Sequence, residues 1–309
     1  MSPTGKAQLQ IHFCVLLWGF TAIFGRLISL SALALVLWRM LIVVAVLALL
    51  PSVWRSLRSM KKRLIAAYAG IGVLVALHWL TFYASIKLSN ASVGATCMAV
   101  APVFLAIVEP LVARTRFELR ELLLGILVIP GVVLVVGGVP SSMLLGLGIG
   151  VISALLVAVF GALNKRLVEH ADPLTVTGIE LGAGVILLVL LAPLLPHDGP
   201  AFPLPDARDG ALLVALAIGC TLLPYSLALK ALRQLSAYSV QLATNLEPVY
   251  AIVLAIPLLG EQRELAPSFY VGVAIILLSV LAHPLLVRKP ARMEHADVLG
   301  AAESKSLAD

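Results

Sequence analysis

This sequence is short of charge. Only 12% of its 309 residues are Asp, Glu, Lys or Arg, and 61% are hydrophobic, where a soluble domain is about a quarter charged. A soluble fold of this length could not hide so much apolar surface. Cysteine is also scarce. Cys14, Cys97 and Cys220 all lie inside apolar runs, none in CxxC spacing or beside clustered histidines, so neither a disulfide framework nor a metal site is expected. The chain has no Walker lysine loop, no dinucleotide glycine fingerprint, no HExxH and no GxSxG. With no catalytic constellation and no large loop, an enzyme is not expected, nor is any cofactor. The alternating segments of about ten residues that would build an outer-membrane barrel are missing as well.

What is present is a series of apolar runs of about 20 residues, the length that crosses a bilayer as a helix. Ten spans are read: 9–29, 33–50, 64–86, 91–113, 119–138, 143–163, 174–195, 210–231, 236–259 and 267–287. The expected fold is an all-α polytopic membrane protein. The first run is long and lacks a small-residue cleavage site, so it reads as a span and not as a signal peptide. With both termini placed inside, 17 of the 22 Lys and Arg residues fall in inner segments and four in outer ones, while Arg39 sits within a span. That skew predicts cytoplasmic N and C termini. It also accounts for the net charge of +6 without nucleic acid; the expected partner is the lipid bilayer. Residues 291–309 read as a disordered cytoplasmic tail.

One stretch raises a question. ATNLEPVYAIVLAIPLLGE, residues 243–261, carries Thr244, Asn245, Glu247 and Pro248 at the centre of an otherwise apolar span. Shifted back by 146 positions it meets CMAVAPVFLAIVEPLVART, with Pro102 under Pro248. A weaker match at an offset of 140 sets Phe20, Ala22, Arg26 and Leu27 under Phe160, Ala162, Arg166 and Leu167. Two similar offsets in the same order point to duplication. The halves would be 1–140 and 141–290, each with five spans. Five is odd, so the second half enters the membrane from the opposite side. Inverted five-helix repeats around a central cavity are an architecture that secondary transporters use.

Each proline removes its own N–H and strands the carbonyl four residues back, at Met98 and at Thr244. In hydrocarbon such a carbonyl needs protein or a wet cavity to receive it. Gln241, Thr244, Asn245 and Pro248 follow i, i+3, i+4, i+7 spacing and share one helical face. Tyr238 extends that stripe and Glu247 flanks it. The stripe reads as a lining of the substrate path, or else as an interhelical hydrogen-bond cluster with a kink. The third span offers His78, Trp79, Phe82 and Tyr83, either an aromatic wall for a small solute or ordinary packing. His78 is in addition a possible proton site. Trp18 lies too deep for an interfacial belt, which leaves packing or path lining. Arg39 and Glu180 lie about two turns into their spans from opposite sides and read as gating or ion-pair residues. Gly146, Gly150, Gly178 and Gly182 have the spacing of close helix packing.

LLWGFTAIFGRLI, WRMLIVVAVLALL and PVYAIVLAIPLLGE resemble segments of the drug/metabolite transporter superfamily, EamA type. Trp18-Gly19, Arg39, Pro248 and Gly260-Glu261 match its pattern. Arg114-Thr115 stands where the first half should carry Gly-Glu, and Ala158-Val159 where the second should carry tryptophan. Within the superfamily the chain is most similar to the YddG-type exporters. That resemblance implies ten helices around a central cavity in a bacterial inner membrane and export of aromatic and other neutral amino acids, with Trp79, Phe82 and Tyr83 compatible with such cargo. A monomer is expected. The alternatives are a proton-coupled exporter of hydrophobic drugs, using Glu247, Glu180 or His78, and a channel or non-transport membrane protein.

Overall fold

The computed structural model describes residues 3–113, 130–195, 199–244 and 246–286, and among them every regular element is helical. The helices are α1 (Pro3–Leu27), α2 (Ala32–Ala48), α3 (Pro51–Ser59), α4 (Lys62–Leu88), α5 (Ala91–Met98), α6 (Ala101–Ala113), α7 (130–138), α8 (Leu144–Leu167), α9 (Pro173–Leu191), α10 (Ala207–Ala217), α11 (Leu223–Leu232), α12 (Ala237–Thr244), α13 (Glu247–Leu259) and α14 (Pro267–Leu286). Among the described residues, six helical stretches are long and apolar enough to cross a membrane, seven if the bent pair α2 and α3 is one span. Much of the fifth expected span, 119–138, and the 291–309 tail lie outside the described residues.

Local chemistry sets the element ends. Ser31, Asn90, Asp172 and Asp206 accept bonds from backbone N–H groups at the starts of α2, α5, α9 and α10, satisfying donors that an N-terminus leaves open. Gly260 closes α13 with φ of 71°, a left-handed conformation that glycine adopts without strain. Between α2 and α3 the chain turns by 88°. Ala48 carbonyl oxygen there accepts a bond from Trp54 Nε1 at 2.7 Å.

Two expected straight spans are broken at their prolines. The fourth divides into α5 and α6 just before Pro102, and the ninth into α12, which ends at Thr244, and α13, which starts at Glu247 just before Pro248. The eighth is continuous but locally under-wound: Ile218–Leu222 forms a π-turn that joins α10 to α11. Its cause is Pro224, which cannot donate to the carbonyl of Cys220.

α4 sits at the centre, packed chiefly on α8 and α9, while α1 packs on α11 and α13. Small residues permit the closest approaches. A Cβ on Gly19 would lie 2.6 Å from Tyr250 Cβ, and one on Gly72 would lie 2.1 Å from the Glu180 carbonyl oxygen. Gly146 and Gly150 do pack tightly, on Ser85 and Ser89 and on Cys97, but a Cβ on Gly182 would meet nothing within 4 Å and one on Gly178 only ordinary contacts. The expected glycine packing face therefore holds for the first pair and not for the second. Leu9, Leu145, Ile186, Leu190 and Leu278 are exposed on the outside of the bundle, as expected where lipid, not water, is the neighbour.

Candidate functional site

Inside the bundle lies a cavity of about 120 Å³, lined by α1, α2, α4, α5, α6, α8, α11, α12 and α13. That is room for several waters or a small solute. Trp18, Thr21, Arg39, His78, Trp79, Phe82, Met98, Thr244 and Glu247 line it, together with Phe160, Asn164 and Tyr225.

Arg39 is 2% exposed and hydrogen-bonded through each of its three nitrogens. Its Nε donates to Thr221 Oγ1 at 2.6 Å, Nη1 to the Tyr83 hydroxyl at 2.8 Å and Nη2 to the Cys220 carbonyl at 3.4 Å. That carbonyl is the one Pro224 strands, so the π-turn and the arginine answer each other, and a π-turn in a span often marks a working site. The guanidinium also lies 3.9 Å from the centre of the Trp79 ring, a stacked cation–π contact that is strong once desolvated. The expected pair for Arg39 is thus a set of neutral groups. Its charge remains available to the cavity, and Glu247 lies within electrostatic range of it.

Glu247 is the carboxyl the cavity sees. Periodicity puts it on the flank of the polar stripe; it lines the cavity with Val240 and Thr244, at i, i+4, i+7 spacing, while Pro248 is buried away from the lining. Thr244 lines the cavity, its hydroxyl donating to the Val240 carbonyl at 2.9 Å. Asn245 and the side chains of Tyr238 and Gln241 lie outside the described residues.

The aromatic wall is assembled from several helices. His78 stacks near Phe82 and tilts against Phe160, with ring centres 6.2 and 5.4 Å apart. Trp79 meets Tyr225 edge-on at 6.2 Å. Ser153 hydroxyl lies 2.8 Å from His78 Nδ1, which ties α4 to α8. Tyr83 is fully buried behind the wall and supports Arg39, outside the lining. Pro102 is buried beside the cavity and not on it; Met98, one turn earlier, lines it.

Glu180 is 0% exposed and stands behind the lining. The Tyr225 hydroxyl donates to its Oε2 in a short bond, and Asn164 Nδ2 approaches the same oxygen at 3.5 Å. Asn164 and Tyr225 are functional candidates that the sequence reading missed. Asn164 sits beside Lys165-Arg166 and reads as a helix end; Tyr225 follows Pro224, which the offset of 146 positions sets over His78, and that alignment is the available signal.

The EamA-like transporter family model matches twice, over residues 6–137 and 144–282. A curated relative, the "Uncharacterized transporter YxxF" of Bacillus subtilis (strain 168), is 26% identical over 232 residues, 74% of this chain and 72% of that one. A solved structure described only as "Crystal structure of protein" is similar at a TM-score of 0.65 and 16% identity, covering 92% of this chain and 99% of that one; at that identity it speaks for the fold alone. A helical bundle with helices fit to span a membrane, an internal cavity and a family match over nearly the whole length agree: this chain belongs to the EamA-like transporter family and is an integral membrane transporter of small molecules.

Proposed function

We propose that this transporter is a secondary carrier that exports amino acids, aromatic and other neutral ones, or closely related small metabolites. In this reading ten spans form two inverted five-helix repeats, 1–140 and 141–290, that rock around the central cavity. Both termini face the cytoplasm of a bacterial cell and the spans cross its inner membrane. The two successive family matches support the repeat boundary, and the lysine and arginine skew supports the orientation.

The observation that carries the substrate class is charge of both signs at one aromatic cavity. Arg39 offers a guanidinium to a carboxylate, Glu247 offers a carboxylate to an ammonium, and Trp18, Trp79, Phe82 and Phe160 offer apolar faces between them. A zwitterion with a neutral side chain complements such a lining. Liposomes containing the purified protein and loaded with labelled phenylalanine are expected to release label faster than protein-free liposomes, saturably and with counter-exchange. Retention of every solute in a broad panel overturns the carrier reading, and non-saturable flux without counter-exchange makes the protein a channel. Trp79→Ala removes the ring beneath Arg39 and is expected to lower transport about tenfold, which corresponds to about 1.4 kcal/mol, with folded protein retained.

A second reading is a proton-coupled exporter of hydrophobic drugs. It is favoured by two buried carboxyls, Glu180 and Glu247, that have no ion-pair partner among the described residues. An imposed pH gradient would then drive drug flux, and Glu247→Gln would remove that response.

A further inference from the structure

The cluster behind the lining is short of one hydrogen. Glu180, Asn164 and Tyr225 are buried together: Glu180 is 0% and Asn164 3% exposed. The Tyr225 hydroxyl donates to Glu180 Oε2, and Asn164 Nδ2 reaches both that oxygen, at 3.5 Å, and the Tyr225 oxygen, at 3.4 Å. Two acceptors remain without a donor among the described residues, Glu180 Oε1 and Asn164 Oδ1. Turning the Asn164 amide over does not help, since it would set a carbonyl oxygen against the carboxylate. A buried acceptor left open is costly, and a buried carboxylate with no cation more so.

The neighbours supply no such cation. On α4 the titratable group in electrostatic contact with Glu180 is Tyr68, whose hydroxyl is committed to the Leu167 carbonyl at 2.7 Å. On α2 the charged group is Arg39, bonded to Thr221, Tyr83 and Cys220. On α11 they are Tyr225 and the exposed Lys230; on α3, Arg55 and Arg58 are exposed. Arg233, beyond Tyr68, donates to the Val168 and Ala171 carbonyls. On α8, next to Asn164, Lys165 donates to the Leu232 carbonyl and Arg166 to that of Val112.

We propose that Glu180, with Asn164 and Tyr225, is a proton-binding site one hydrogen bond away from the transport cavity. A single proton on Oε1 turns an open acceptor into a donor and removes the buried charge. The route is short, because Tyr225 and Asn164 both line the cavity and both contact Glu180. The Tyr225 hydroxyl passes its hydrogen to Glu180 Oε2 as it takes another from a hydronium ion in the cavity; two O–H bonds form as two break, a water molecule is left, and rotation of the carboxyl group carries the new O–H to the Oε1 position. The backbone of Glu180 is pressed against Gly72 on α4, so a change of charge there is felt by the helix that carries His78 and Trp79. The inference deepens the reading as a carrier, because the proton is what such a site would couple to cargo.

The site is tested without any cargo. Infrared titration of the purified full-length protein resolves the C=O stretch of buried carboxylic acids. Wild type is expected to show a band at neutral pH that E180Q loses and E247Q keeps; Y225F, which removes only the donor hydroxyl, is expected to keep the band at a shifted frequency. An identical band in wild type and E180Q overturns the site. So does a wild type with no acid band in which sodium, compared with choline, raises the unfolding temperature while E180Q shows no rise, because the occupant is then a metal cation. If E180Q does not fold, the Y225F shift decides, and an unshifted band overturns the site. Coupling is read separately, as loss of the pH dependence of phenylalanine flux in E180Q. A protein with the band and no flux refutes the substrate reading and leaves the proton site standing.

Discussion

At the end of the bundle carrying Ser29, Asn90 and Gly260, the segments matched by the family model are joined through carboxylates. Glu261, 1% exposed, accepts from the Ala91 N–H at 2.9 Å, the Ser92 N–H at 2.8 Å and the Ser92 hydroxyl at 2.7 Å. Asp209 accepts from the Ser29 N–H at 2.9 Å and its hydroxyl at 2.5 Å. Asn90 donates to Glu264 at 3.0 Å. Among the described residues, bonds between the same two segments at the opposite end include two to backbone carbonyls, from Tyr68 to Leu167 at 2.7 Å and from Arg166 to Val112 at 3.4 Å. Bonds to an ionised acceptor are roughly twice as strong as neutral ones, so the described carboxylate contacts hold the first end firmly. The cavity agrees, since its lining continues toward the second end through Asn164, Leu232 and Val240. The difference teaches how a transporter matched twice by one family model holds one shape: among the described residues, the carboxylate contacts between the two matched segments gather at the first end. It also gives the Gly-Glu pair a physical job, because Gly260 turns the chain so that Glu261 caps the facing broken helix, α5. Thr115, where the repeat would set the equivalent glutamate, lies outside the described residues.

The largest effect that sharpens this contrast should come from Glu261→Ala. It strands buried donors at the start of α5 and is expected to cost about 3 kcal/mol, measured by unfolding in detergent. A loss below about 1 kcal/mol would mean that the seam is not held by this carboxylate. Asp209→Ala leaves the Ser29 donors open and should cost about 2 kcal/mol. Across the bundle, Tyr68→Phe removes one bond to a carbonyl and should cost about 1 kcal/mol; a greater loss than for Glu261→Ala would invert the comparison. The smallest effect belongs to Arg26→Ala. Its 3.9 Å contact with Glu264 involves side chains 38% and 35% exposed, and the expected change is under about 0.5 kcal/mol, fading with salt.

How far each residue could be read depended on what decides its role. Helix existence follows from runs of apolar side chains, so the described spans fall close to their expected places. The two broken spans were also legible, because proline removes an N–H whatever surrounds it. Glu247 is instructive. The polar stripe runs through Gln241, Thr244 and Pro248 with Glu247 on its flank, whereas the face that meets the cavity runs through Val240, Thr244 and Glu247. Arg39 stood out as a charge within a span, yet its partners Thr221, Tyr83 and Cys220 come from distant helices. Trp79 and Tyr83 are four residues apart on one helical face, and packing separated them: one ring lines the cavity and the other braces the arginine.

By itself, then, the sequence determined the medium, the spanning segments, the places where backbone hydrogen bonds must fail, and the charges that hydrocarbon would not tolerate unpaired. Each of these follows from properties of a residue and its near neighbours along the chain. Only the tertiary structure decided that Asn164 and Tyr225 stand between Glu180 and the cavity, that the π-turn carbonyl meets Arg39, and that Glu261 seals one end. Those outcomes depend on which helices touch and at what rotation, set by close packing among residues far apart in the chain, and a local pattern does not carry that information.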